Sequence, residues 1–409
     1  MPPFATVSDP LTLAESDTFP SESLYQIESE EVPQSGAERD RYEAFKTLCT
    51  EKEIPAGIMG LLWHHLENDL TIIDVDTSRS MGCIDGVQAP EKQTGVEIMH
   101  FGKNNARSNA RSQPQTRMQE AQERLLDIVP LLCTANRHGI INLKSLSDPQ
   151  GLRLDMRHTP HQLAIQNMNA FIYQLRPNLD HTPSVTSYHN SCQVAQKATR
   201  TGRVKSATII NFSDGEPNQR PDRDVEEIYN AYHRHVLVNR QDHQRADGSR
   251  VPHNIAVRWN MGVTASKLMR QLSVLAGHYN IPTTIAACTN DEAAMGEQNE
   301  FDDIHTNVAV LDDFIAEQNE VLRQQGIRFP FNKAMYLALN FIAPKEAAFD
   351  NLDEAPLAPH ELEKVLGYYP GHDAYLQNLE TSLTAVEATT ERPLSGRSAS
   401  APQPPSYFR

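Results

Sequence analysis

Between Leu70 and Leu311 short apolar runs alternate with stretches whose apolar residues recur every three or four positions. No other feature restricts the fold of this chain so tightly, because such alternation is met by strands in a parallel sheet joined through covering helices. The strand candidates are 70–76, 139–146, 152–158, 206–212, 282–288 and 306–311. Between them lie helical stripes: Leu125, Ile128, Val129, Leu132; then Ala164, Met168, Phe171, Ile172, Leu175. Val225, Ile228, Tyr232, Val236 and finally Leu268, Leu272, Leu275 complete the series. The expectation is a doubly wound, mostly parallel six-stranded sheet in the order 3-2-1-4-5-6, with ligands collecting at the strands' carboxyl ends beside the switch in order.

Helical additions flank this unit. Tyr42, Phe45, Leu48 and then Ile58, Leu61, Leu62, Trp63 give two helices over 37–51 and 56–66, before the first strand. After residue 326 the alternation stops, and 331–343, 359–366 and 371–383 read as further helices that pack with the N-terminal pair. The chain thus divides into a disordered N-terminal segment 1–36, a helical extension 37–67, the sheet domain 68–326, a helical extension 327–385 and a disordered tail 386–409. Two insertions, about 83–115 and about 239–262, interrupt the sheet domain. The first carries Lys103, Arg107 and Arg111, with Arg117 just beyond it, and no acid lies between 103 and 119. It reads either as a solvated loop or as a positive rim on the face where the first strand ends.

The chemistry concentrates where that first strand stops, at Asp76-Thr77-Ser78-Arg79-Ser80-Met81-Gly82. Oxygen side chains at every second position on a tight turn suit a hard cation such as Mg²⁺, which takes about six oxygens at ~2.0–2.1 Å. The run resembles the Asp-x-Ser-x-Ser-Met-Gly signature of von Willebrand factor A (vWA) domains, a Rossmann-like family with a metal-ion-dependent adhesion site. The resemblance implies that Asp76, Ser78 and Ser80 are joined by a Thr and an Asp from later loops. Thr182 in Asp180-His181-Thr182-Pro183-Ser184 and Asp214 in Phe212-Ser213-Asp214-Gly215 match in order. It further implies a bound Mg²⁺ or Mn²⁺ completed by a carboxylate of a protein partner. The role expected on that basis is an adaptor or scaffold, not an enzyme.

A second reading stays open. Asp74-Val75-Asp76-Thr77-Ser78 also resembles the nucleophile motif of haloacid-dehalogenase-type phosphatases, with Asp74 attacking phosphorus and Asp76 shuttling a proton. That reading leaves Ser80, Met81, Gly82 and Thr182 without a role. Neither a Gly-x-Ser-x-Gly elbow nor a phosphate-binding Gly-x-x-x-x-Gly-Lys-Ser/Thr loop occurs.

Composition narrows the classes further. A net charge of −16 argues against a general nucleic-acid binder. Five scattered cysteines with no Cys-x-x-Cys suggest neither a disulfide framework nor structural zinc. With no apolar run long enough to span a bilayer and no signal-like start, a cytoplasmic location is expected, signal-less secretion remaining open.

Overall fold

The computed structural model describes residues 36–86, 115–146, 148, 151–177, 184–215, 223–239, 267–289, 298 and 305–367. Six strands form one sheet: β1 (Asp69–Val75), β4 (Ile140–Ser145), β5 (Leu152–Asp155), β6 (Ser206–Ser213), β7 (Thr283–Ala287) and β8 (Val308–Leu311). Their order is β5-β4-β1-β6-β7-β8. All pairs are parallel except β4 with β5, which is antiparallel at one edge. Counted within the sheet, this is the order 3-2-1-4-5-6. A separate two-stranded ribbon, β2 (Ile84–Gly86) against β3 (Gln115–Thr116), follows the loop after β1.

Every residue of β1 is buried, as befits a central parallel strand covered on both faces. Its side chains alternate between two cores. Ile73 and Val75 join Ile141, Leu143, Ile210 and Phe212 in the larger one; Leu70 and Ile72 join Ile140, Ile209 and Ile285 in the smaller. The larger core receives α1 (Gly36–Glu51), α2 (Ala56–Leu66), α3 (Arg117–Ala135) and α4 (His161–Ile172). The smaller is covered by α5 (Ser184–Arg200), α6 (Arg223–Asn239) and α7 (Lys267–Tyr279).

After β8 come α8 (Phe314–Gln325), α9 (Lys333–Ile342), the single turn α10 (Ala347–Asp350) and α11 (Pro359–Leu366). These do pack with the N-terminal helices: Phe45, Ile58 and Leu62 share the larger core with Met335, Leu339, Leu362 and Val365. The contact is close enough to exclude a side chain at Gly57, where a Cβ would lie 1.9 Å from the Lys364 carbonyl oxygen. Glu346 closes the same seam, accepting from His65 Nε2 at 3.0 Å and from Lys364 Nζ at 2.6 Å.

Two strands are shorter than the sequence suggests. β5 stops at Asp155 because the amides of His158 and Thr159 both turn back onto the Asp155 carbonyl. β8 starts at Val308, whose amide closes a turn onto His305. The segments 1–35, 240–266 and 368–409, with the helix expected at 371–383, lie outside the described residues, as do 87–114 of the first insertion. No helix among the described residues is long and apolar enough to cross a membrane.

Candidate metal centre

Parallel pairing sets Val75 beside Phe212, so the next residues of β1 and β6 leave the sheet side by side at its carboxyl edge. The Asp76 amide continues the ladder by donating to Phe212 O at 2.8 Å. Asp76 and Asp214 are thereby brought together from positions far apart in the chain. β4 lies on the other side of β1, so the pair sits at the reversal in strand order, where the crossing connections leave a crevice.

The loop is shaped by its own side chains. Asp76 Oδ1 accepts from the Ser78 amide at 2.7 Å, an Asx-type turn that fixes the carboxylate against the backbone. Residues Arg79–Gly82 then form a 3-10 turn that drops Met81 into the larger core, fully buried. Thr77 Oγ1 lies 2.7 Å from Ser145 Oγ at the end of β4, tying the loop to the neighbouring strand. Ser80 Oγ donates to Asp214 Oδ1 at 3.1 Å, so its contact with Ser78 Oγ at 2.8 Å must use the Ser78 proton. Asp76, Ser78, Ser80 and Asp214 therefore face one another. Thr182 lies outside the described residues; α5 opens two residues after it, at Ser184.

Electrostatically the cluster is short of positive charge. Asp76 is fully buried, and its Oδ2 has no hydrogen-bond partner among the described residues. Burial pushes its carboxyl up to about 7; the hydrogen bond from the Ser78 amide opposes the shift, repulsion from Asp214 adds to it, and the Ser78 and Ser213 hydroxyls oppose it more weakly. An orphaned buried carboxylate oxygen is costly unless something cationic meets it. Two carboxylates and two hydroxyls are the donor set a hard divalent ion takes, so these residues fit Mg²⁺ or Mn²⁺. Such an ion, when bound, supplies an electrophilic position for an incoming oxygen ligand.

Arg117, at the start of α3, enters the cluster. Its Nη1 lies 3.0 Å from Asp214 Oδ2, and its side chain is only 13% exposed. The sequence reads Arg117 as part of either a solvated loop or a positive rim; the fold sets it against Asp214. Thr116 caps α3 in a reciprocal capping box with Gln119, and the Arg117 amide donates to Cys83 O, so the first turn of α3 is pinned beside the Asp76 loop. The capping box was readable as Thr116-x-x-Gln119, but the partner 97 residues away was not.

Asp74 is placed differently from Asp76. Its side chain points into the layer under α5: Oδ2 accepts from Ser191 Oγ at 2.7 Å, and Oδ1 lies 3.4 Å from Lys144 Nζ. Lys144 also donates to Ser187 Oγ at 3.3 Å. Asp74 is 1% exposed, and burial raises its carboxyl while Lys144 and Ser191 oppose the shift. Asp74 and Lys144 are register partners on β1 and β4, which accounts for their meeting. The pair joins the central strands to α5, the helix that follows Thr182.

No protein-family model matches this chain, and no curated protein matches it.

Proposed function

We propose that residues 68–326 form a vWA-like, doubly wound domain with a metal-ion-dependent adhesion site, and that the protein binds a partner through it. The domain would be flanked by the helical extensions 37–67 and 327–385. Asp76, Ser78, Ser80 and Asp214 hold one Mg²⁺ or Mn²⁺, with Thr182 as the fifth protein ligand, and a carboxylate of a protein partner fills the remaining position. The observation that carries the reading is the convergence of Asp76 and Asp214 at the carboxyl edge of β1 and β6, with Asp76 Oδ2 buried and unpartnered.

Phosphoryl transfer from Asp74 has less support. A carboxylate clasped by Ser191 and Lys144 and 1% exposed is arranged for packing, not for attack on a substrate. The protein's place is then that of a cytoplasmic adaptor or scaffold. The direct test is Mn²⁺ binding by the full chain. Wild type should bind one ion; Asp76→Ala and Asp214→Ala should each weaken binding by about a hundredfold or more, at or above the upper end of what losing an outer-shell partner of a ligand costs, while the far-ultraviolet circular dichroism stays unchanged. Equal Mn²⁺ binding by all three proteins would refute the site. Partner capture that is indifferent to chelator would refute the mechanism.

A further inference from the structure

Taking Asp76 and Asp214 as ligands of a divalent ion, we infer that Arg117 is the residue that makes the loaded site select an anionic partner, and that it does so at the expense of metal affinity. The argument begins with charge. Asp76 and Asp214 together carry two negative charges when ionised, and a divalent ion alone would bring the cluster to neutrality. A neutral centre has little reason to prefer a carboxylate over water or a neutral oxygen. Arg117 adds one positive charge from within, its guanidinium 3.0 Å from Asp214 and largely shielded from solvent. The loaded cluster is then left with a single positive charge, matched by one carboxylate. Arg79, the other cation of the loop, is exposed and screened.

The geometry keeps Arg117 where this matters. Its backbone is the first residue of a capped helix and is bonded to Cys83 O, one residue beyond the 3-10 turn that contains Ser80. With its backbone fixed there, the guanidinium is held by its ion pair with Asp214. Asp214 serves two donors, with Oδ1 on Ser80 and Oδ2 on Arg117, so any ion drawing on Oδ2 competes directly with the guanidinium. Arg is suited to the second task as well, since its fork can take the free oxygen of a metal-bound carboxylate.

The two consequences have opposite signs, which separates this role from a structural one. Mn²⁺ binding is measured on the full chain by the electron paramagnetic resonance signal of the free ion, with and without acetate as the anionic probe. For Arg117→Met, removal of the competing cation should tighten Mn²⁺ binding on the order of tenfold, as expected for a partly shielded charge a few ångströms from the ion. In the same variant the further tightening of Mn²⁺ binding by acetate, seen in wild type, should disappear. Arg117→Gln gives a second neutral side chain that can still donate to Asp214, and should behave like Arg117→Met. Arg117→Lys should resemble wild type. Weaker Mn²⁺ binding in both neutral variants, or an undiminished acetate effect, would overturn the inference while leaving the metal site standing. Absence of Mn²⁺ binding by wild type would instead remove the site on which it rests.

Discussion

Replacing Lys144 by Met should destabilise the protein by about 3–5 kcal/mol, the range for removing one partner of a buried ion pair. The lysine ammonium lies 3.4 Å from Asp74 Oδ1, with side-chain exposures of 7% and 2%. At an effective dielectric of about 20 the Coulomb term at that spacing is roughly 5 kcal/mol. Methionine keeps most of the volume but leaves Asp74 with only neutral hydroxyl donors, Ser191 and Ser187, in place of the ammonium. The cost is thus that of an uncompensated carboxylate, not of a cavity. The double variant Asp74→Leu, Lys144→Met removes both charges and should recover most of the loss, as buried pairs replaced by apolar groups commonly do. Urea unfolding at neutral pH, followed by circular dichroism, measures all three proteins with wild type. A loss below about 1 kcal/mol in Lys144→Met would mean that the pair is not held as ions in a dry layer, and the account of Asp74 given above would fail. A double variant as unstable as the single one would show that packing under α5, not charge, sets the cost.

Two further outcomes concern the seam between the terminal helices. Glu346 is held down to about 2 by the His65 and Lys364 contacts, below its ordinary value of 4.5. A depressed carboxylate contributes stability that is complete above pH 4.5 and lost as pH falls toward 2, worth roughly 2 kcal/mol after discounting for partial exposure. Wild type should therefore lose stability across that window, and Glu346→Gln should be less stable at neutral pH but flatter between pH 4.5 and 2; an identical slope in acid denaturation curves would contradict this. Gly57→Ala should cost about 2–4 kcal/mol, because the added methyl would sit 1.9 Å from backbone oxygen that cannot rotate aside. A melting temperature equal to wild type's would show that α2 and α11 are not so closely opposed.

The sheet was largely readable because its strands are apolar runs bounded by polar turns, and a run such as Leu70–Ile73 has few alternatives. Helices with strong stripes were equally plain, and Pro359–Leu366 has the bounds the pattern suggests. α5 was not foreseen. Its inward stripe, Val185, Tyr188, Cys192 and Ala195, is built of small or part-polar groups and is interleaved with buried Ser187 and Ser191, which meet the Asp74–Lys144 pair, so it stands out less than a Leu/Ile stripe. The same blindness covers the pair itself, since a register between parallel strands 70 residues apart is set by packing and leaves no local mark. The Asp76 loop was legible from residue type and spacing, whereas Asp214 was expected only through the resemblance to vWA domains; the fold brings Asp214 to Ser80 of that loop. Arg117 was legible only as a charge.

The ribbon of Ile84–Gly86 against Gln115–Thr116 has a consequence for how this molecule can vary. Two backbones paired at ladder spacing, about 5 Å apart, fix the two ends of whatever connects them beside the Asp76 loop. Sequence can be lengthened, shortened or exchanged there at small entropic expense, while the six-stranded platform stays undisturbed. Related chains can in this way differ in one cassette, with the sheet beneath it left alone.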